Sequence, residues 1–293
     1  MINALALHNG TLAPADPFGA AVWVDLAAPT TDERAWASQC PGGLPAEPRL
    51  FWRARQEGPL DLAITLLGED GPVRVVCRLI AGQLVTLHDG PEGLTAPARE
   101  RLVAEGGISA DDALLTLVEE AAERAAARLS AVRRTLSGVS EDVFDETPKP
   151  GAVRGVVRRL GALGTATQEV ADSLTSLSLA LSLMAGRDDS ADIKTLKSDV
   201  ANLAERAEAL DRAIDFQLNA ALGLIAHDQN TVTVLLSITA ALFLPPTLIA
   251  SIFGMNFADM PGLKFHHGFL VCLAAMGLAA GAMAAILRWR RVL

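Results

Sequence analysis

Apolar positions recur along this chain in three patterns, and each predicts a different element. Near the end they are continuous. No formal charge falls between Gln229 and Ala258, whose apolar core is Val232 to Phe253, and none falls between Phe265 and Leu287, apolar from about Phe269. Each run is long enough to cross a hydrocarbon layer, which takes roughly 20 apolar residues as helix. A short connector joins them, so a hairpin with both outer ends on one side is expected. Upstream the pattern is heptad: Ile193, Leu196, Val200, Leu203, Ala207, Leu210 and Ile214 follow at alternating steps of 3 and 4. Neither Pro nor Gly interrupts this stretch before Gly223. A helix capped by Ser190 is therefore expected to run straight into the first span, about 96 Å from Ser190 to Phe253 at 1.5 Å per residue. Its seam needs partners: the two helices before it, copies of itself, or both.

Those two helices are expected from Ser109 to about Glu146 and from Val153 to Ala185. Ser109 and Asp112 make a capping box with Asp in place of Glu. Thr147-Pro148-Lys149-Pro150-Gly151 stops the first helix, and Gly186-Arg187-Asp188-Asp189 ends the second. Before residue 90 the pattern is alternation. Ala20–Leu26, Asp61–Leu67, Val73–Ile80 and Gln83–His88 are expected strands, the last three joined by turn-rich connectors into a small antiparallel meander. The Pro- and Gly-rich segment 34–58 gives no element that can be placed. Ile2–Leu7 is too short and lacks the basic flank of a signal peptide. The organisation is an α+β domain over 1–189, a stalk helix over 190–230, a first span over 231–253, a loop over 254–268, a second span over 269–287 and a basic tail over 288–293.

Charge sets the orientation. Arg288, Arg290 and Arg291 crowd the end, whereas the connector offers Lys264 alone. The basic tail is expected in the cytoplasm of a bacterial cell, and with two spans the N-terminal region lies there too, in a multi-pass inner-membrane protein. The net charge is −9, and beyond Asp228 four bases face one acid, so the first 228 residues carry −12. That excludes nucleic acid as an expected partner and suits cations or plain solubility. Cys40, Cys77 and Cys272 are too far apart for a zinc knuckle or disulfide framework. Residues 1–228 show no nucleophile elbow, P-loop or metal-ligand cluster, so an enzyme is not expected.

On a helical wheel the first span has one small, mostly polar face: Asn230, Thr233, Ser237, Ala240, Leu244, Thr247 and Ser251, with Leu244 its only bulky member. Polar groups in hydrocarbon need a partner or water. Back-bonding to the helix, a dry helix–helix contact or a water-filled pore built from several copies would each supply one. Pro245-Pro246 interrupts the same helix and removes the donors to the Ala241 and Leu242 carbonyls, which a kink accommodates.

Gly254-Met255-Asn256 follows. The stretch Phe243 to Pro261 (FLPPTLIASIFGMNFADMP), after a long helix and before a final span, resembles the CorA superfamily of divalent-cation transporters, which includes the zinc-transporting ZntB branch. Ala21 to Glu33 (AVWVDLAAPTTDE) is similar to the Trp-x-Asp-Leu start of that family's cytoplasmic domain. The resemblance implies a funnel-shaped homopentamer in the lipid bilayer. The long helices would form its stalk, and the first spans its pore. It implies that Gly254 lets the backbone turn, that Met255 packs behind the site, and that Asn256 presents amide oxygens to a hydrated ion. Asn230, Thr233, Ser237, Leu244, Thr247 and Ser251 would face the pore, with Leu244 as a constriction. No cofactor is implied; Mg²⁺, Co²⁺ or Zn²⁺ would be cargo. Many magnesium members carry Glu after Met-Pro, but Gly262 follows Met260-Pro261 here, which leaves Asp259 the only acid in the loop. His266-His267 lies beside the second span, where imidazoles from several copies could ring a zinc ion. His227 and Asp228 read as solvated stalk residues and His88 as structural. The alternative reading is a membrane-anchored coiled-coil scaffold or sensor without transport.

Overall fold

The computed structural model describes residues 2–8, 11–14, 21–33, 60–80, 82–106, 109–143, 152–188, 190–255 and 266–290. They divide into two compact units, Met1–Asn219 and Ala220–Leu293.

In the first unit, alternation gives the strands β4 (Leu60–Leu67), β5 (Pro72–Ile80) and β6 (Gln83–His88), paired antiparallel in that order. Leu60, Leu62, Ile64 and Leu66 are buried at every second position, as a half-covered strand requires. Ile80 pairs with Gln83, and Gly82 takes φ +78° in the tight turn between them, a conformation that strains any side-chain-bearing residue. The sheet is larger than the expected meander and is mixed rather than antiparallel. β3 (Ala21–Ala27) lies parallel to β6, with Asp25 beside Thr86 and Ala27 beside His88. β1 (Ile2–His8) and β2 (Thr11–Pro14) extend it, giving the order β2-β1-β3-β6-β5-β4. The helix α1 (Ala96–Glu105), with Pro97 in its first turn and a left-handed Gly106 after it, is a further element that the hydrophobic pattern did not announce. Segment 34–58 lies outside the described residues.

α2 (Ala110–Val143) lies against the sheet, and α3 (Ala152–Ala185) packs on α2 and on β4. The expected capping box is present: the Ser109 N–H donates to Asp112 Oδ2 at 3.0 Å, and the Asp112 N–H to Ser109 Oγ at 3.1 Å. β4 is an outer strand, and α3 closes its free edge. The Thr65 N–H donates to Ser176 Oγ at 2.9 Å, and Ser173 Oγ donates to the Thr65 carbonyl at 2.6 Å. Two serines one turn apart thus take the place of a neighbouring strand.

α4 (Ala191–Phe253) begins after a turn at Gly186 and returns antiparallel along α3. Met184 and Ile193 share a small cavity near that turn, and a Cβ on Gly164 would touch Ile214 Cγ2 at 4.0 Å farther along. The seam resolves into two rows. Ile193, Val200, Ala207 and Ile214 are buried, whereas Leu196, Leu203 and Leu210 are half-buried. Packing within the chain therefore covers one row fully and leaves the other partly open.

One buried polar cluster ties the sheet to α1. Asp25 Oδ1 accepts from Thr86 Oγ1 and Asp25 Oδ2 from Thr95 Oγ1, each at 2.6 Å; Trp23 Nε1 donates to Thr86 Oγ1 at 2.9 Å. His88 Nε2 stands 3.5 Å from Asp25 Oδ1, and all five residues are buried. Burial, the largest single influence, pushes the Asp25 carboxyl up. The nearby His88 imidazole and the hydrogen bonds from Thr86 and Thr95 together outweigh it and hold the group below its ordinary range. This cluster gives the Trp-x-Asp-Leu segment a structural role and bears out the structural reading of His88. Burial also pushes the Cys77 thiol well up, so this free cysteine is unreactive.

Candidate ion pathway

In the second unit, the apolar half of α4 and α5 (Gly268–Trp289) are both long and apolar enough to cross a membrane. Cover within the unit is periodic. On α4 the half-buried positions are Val234, Ile238, Ala241, Leu242, Pro245, Pro246 and Ile249. On α5 they are Gly268, Cys272, Ala275, Met276, Ala279, Ala280, Met283, Ala284 and Leu287. This is the periodicity of one helix face partly covered by a neighbour. Gly277 and Gly281, by contrast, have open space where a Cβ would stand.

The polar stripe lies elsewhere. Asn230, Thr233, Ser237, Ala240, Leu244, Thr247 and Ser251 are all exposed, Leu244 at 70%. At 3.6 residues per turn the stripe stands about a third of a turn from the covered face. A dry contact with α5 is thereby excluded as the reason for these residues. Back-bonding is present: Thr233 Oγ1 donates to the Gln229 carbonyl at 2.9 Å, Ser237 Oγ to the Thr233 carbonyl at 2.8 Å, and Thr247 Oγ1 to the Phe243 carbonyl at 2.6 Å. Each hydroxyl has directed its proton into the helix. Its oxygen keeps lone pairs for whatever lies outside, so the stripe presents acceptors, the polarity that suits a cation. Pro245 and Pro246 sit on the covered face, and the helix remains continuous through them.

α4 ends in a turn. The Gly254 N–H donates to the Ala250 carbonyl at 2.8 Å, and the Met255 N–H to that of Ile252 at 3.3 Å. A Cβ on Gly254 would stand 3.1 Å from the Ala250 oxygen, so close backbone approach favours glycine. Met255 is 47% exposed among the described residues. Asn256, Asp259 and Met260 to Gly262 lie outside the described residues. His266 and His267, just before α5, are exposed, with ring centroids 5.0 Å apart. His227 and Asp228 are also exposed. Sequence reasoning found the stripe but missed the covered face of α5, whose signal was the i, i+3, i+4 recurrence of Ala and Met inside an all-apolar run.

The family model of the CorA-like Mg²⁺ transporter protein matches residues 68–290. This chain belongs to that family. The CorA-like match begins at the end of β4 and takes in both apolar helices. A magnesium transport protein CorA of Mannheimia succiniciproducens is 30% identical over 314 residues, covering 96% of each chain, and one of Pasteurella multocida is 28% identical with the same coverage. Among solved structures, the complete CorA magnesium transporter of Methanocaldococcus jannaschii superposes with a TM-score of 0.73 at 17% identity, over 98% of this chain and 97% of its own. The ZntB cytoplasmic domain of Vibrio parahaemolyticus superposes with a TM-score of 0.51 at 13% identity, over 78% of this chain and 98% of that domain. The CorA-like fold is thus common to both branches. Its parts here are a sheet-and-helix domain, a long helix and two C-terminal apolar helices.

Proposed function

We propose that this CorA-like chain carries divalent cations across the bacterial inner membrane through a pore formed by five copies, with Mg²⁺ as the principal cargo and Co²⁺ as a companion. The observation that carries this reading is the exposed stripe of α4. Seven positions are left uncovered by the described residues, and three of them, Thr233, Ser237 and Thr247, turn their hydroxyl protons inward and keep oxygen lone pairs for the outside. In lipid such a face needs water or a like face from another copy. Asn230, Thr233, Ser237, Thr247 and Ser251 line the path, and Leu244 narrows it. The Gly254-Met255-Asn256 tripeptide forms the mouth, where neutral amide oxygens hold an ion that sheds water reluctantly. The relatives named magnesium transport proteins favour Mg²⁺ over Zn²⁺. The basic tail keeps both termini cytoplasmic. His266 and His267 are left out of the pathway itself.

The test is uptake into liposomes by purified protein, comparing Mg²⁺, Co²⁺, Ni²⁺ and Zn²⁺ at two pH gradients with Asn256→Ala beside the wild type. Mg²⁺ uptake that ignores the proton gradient and is lost in the variant is the expected result. Zn²⁺ uptake driven by protons would move the chain to the zinc branch. No uptake of any ion would leave the anchored scaffold.

A further inference from the structure

We infer that His266 and His267 together form a transition-metal site at the turn into α5, one that takes Zn²⁺, Co²⁺ or Ni²⁺ and refuses Mg²⁺. Adjacent side chains on an extended chain point apart, so neighbouring histidines rarely share an ion. Here the turn brings the two rings to a centroid separation of 5.0 Å with their planes at 78°, and both residues are exposed. A metal bound to imidazole lies about 2.0–2.1 Å from the nitrogen and roughly 3.2 Å from the ring centre. Two such rings on one ion, at the angles of four- or six-coordination, have centres about 4.5–5.3 Å apart. The pair already stands at that separation. Metal binding would then require reorienting the rings to aim one nitrogen from each at a common point.

Chemistry then selects the ion. Imidazole suits Zn²⁺, Co²⁺ and Ni²⁺, whereas Mg²⁺ keeps its water and prefers oxygen. Water completes the coordination. His267 is the residue before the first turn of α5, whose partial positive end opposes a cation. The site is therefore weak and fills when transition metal is abundant. Chain connectivity puts it at the same end of the apolar hairpin as Gly254 and Met255. If that turn is the mouth of the path, a role that rests on the proposed function, a bound ion adds two positive charges there and slows the approach of the next. The pair is then a brake set by transition metal and is not a station for cargo.

Calorimetric titration of the full-length protein in detergent with Zn²⁺, and separately with Mg²⁺, tests the site. The comparison is with His266→Gln/His267→Gln, whose exposed positions leave the fold intact, as its elution volume will verify. The expected result is a Zn²⁺ affinity at least tenfold weaker in the double variant, with Mg²⁺ binding alike in both. In liposomes, external Zn²⁺ should slow Mg²⁺ uptake by the wild type at concentrations at least tenfold lower than for the variant, while zinc-free uptake is equal. Equal Zn²⁺ affinity overturns the site. Lost affinity with unchanged zinc sensitivity of uptake overturns the brake. A protein that moves no ion refutes the transport reading, and the titration still decides the metal site.

Discussion

Asp25 shows how much a single buried group can hold. Its two oxygens take the hydroxyl protons of Thr86 on β6 and Thr95 before α1, and His88 stands beside it. Asp25→Ala leaves the buried hydroxyls of Thr86 and Thr95 without their acceptor and should cost about 2–5 kcal/mol, since each buried donor left unsatisfied costs about 1–3 kcal/mol. Urea unfolding of the full-length protein in detergent will measure it, and a loss below about 1 kcal/mol would refute the account. The pH dependence follows from the lowered carboxyl. Its stabilisation is complete above the ordinary value of 3.8 and is lost as pH falls through the lower folded value. Acid unfolding of the wild type should therefore be steeper below that pH than acid unfolding of Asp25→Asn. The Trp-x-Asp-Leu segment was legible in the sequence, but its partners were not. They lie 61 and 70 residues away, and no local period reports a contact at that range.

At the level of elements, periodicity was the reliable guide. The 3-4 seam of α4, the box at the start of α2 and the alternation of β4 to β6 are all local patterns, and all are present. β2 escaped because it has only four residues, β1 because Ile2 to Leu7 does not alternate between apolar and polar, α1 because its apolar stripe is weak, and the parallel β3–β6 pairing because it is set by chain topology. The serines of α3 were likewise silent, since a hydroxyl on a half-buried helix face reads as ordinary polarity. Ser173→Ala and Ser176→Ala each remove one hydrogen bond from an outer strand and should cost about 0.5–1.5 kcal/mol in the same unfolding experiment. Together they should also raise aggregation measured by light scattering, because the β4 edge is then open. In α4, Thr233→Val with Thr247→Val keeps the shape of the stripe and deletes its oxygens. Uptake should fall at least about tenfold while the assembly elutes unchanged, since the water shell of a hydrated cation finds no acceptor on an apolar wall. Undiminished uptake would move the path off this face.

For the whole molecule, the distribution of charge is the working instruction. Four bases and one acid follow Asp228, and three of the bases are the arginines at the end. Replacing Arg288, Arg290 and Arg291 by Gln should leave a mixed population of orientations, read by labelling single cysteines placed in the tail and in the connector. A tail that stays on one side would show that the large acidic domain alone fixes topology. Fold class, span number and the polar stripe were visible in composition and period. Which faces are covered became visible only when two helices were laid together. The inward hydroxyl bonds of Thr233, Ser237 and Thr247 have one more consequence. A proton hops along a row of hydroxyls only if each can hand its hydrogen to the next, and here each hydrogen is committed to a carbonyl of its own helix. If the proposed path runs along this face, its wall offers lone pairs to a metal ion and adds no proton wire of its own, so any proton leak would have to travel through the water alone.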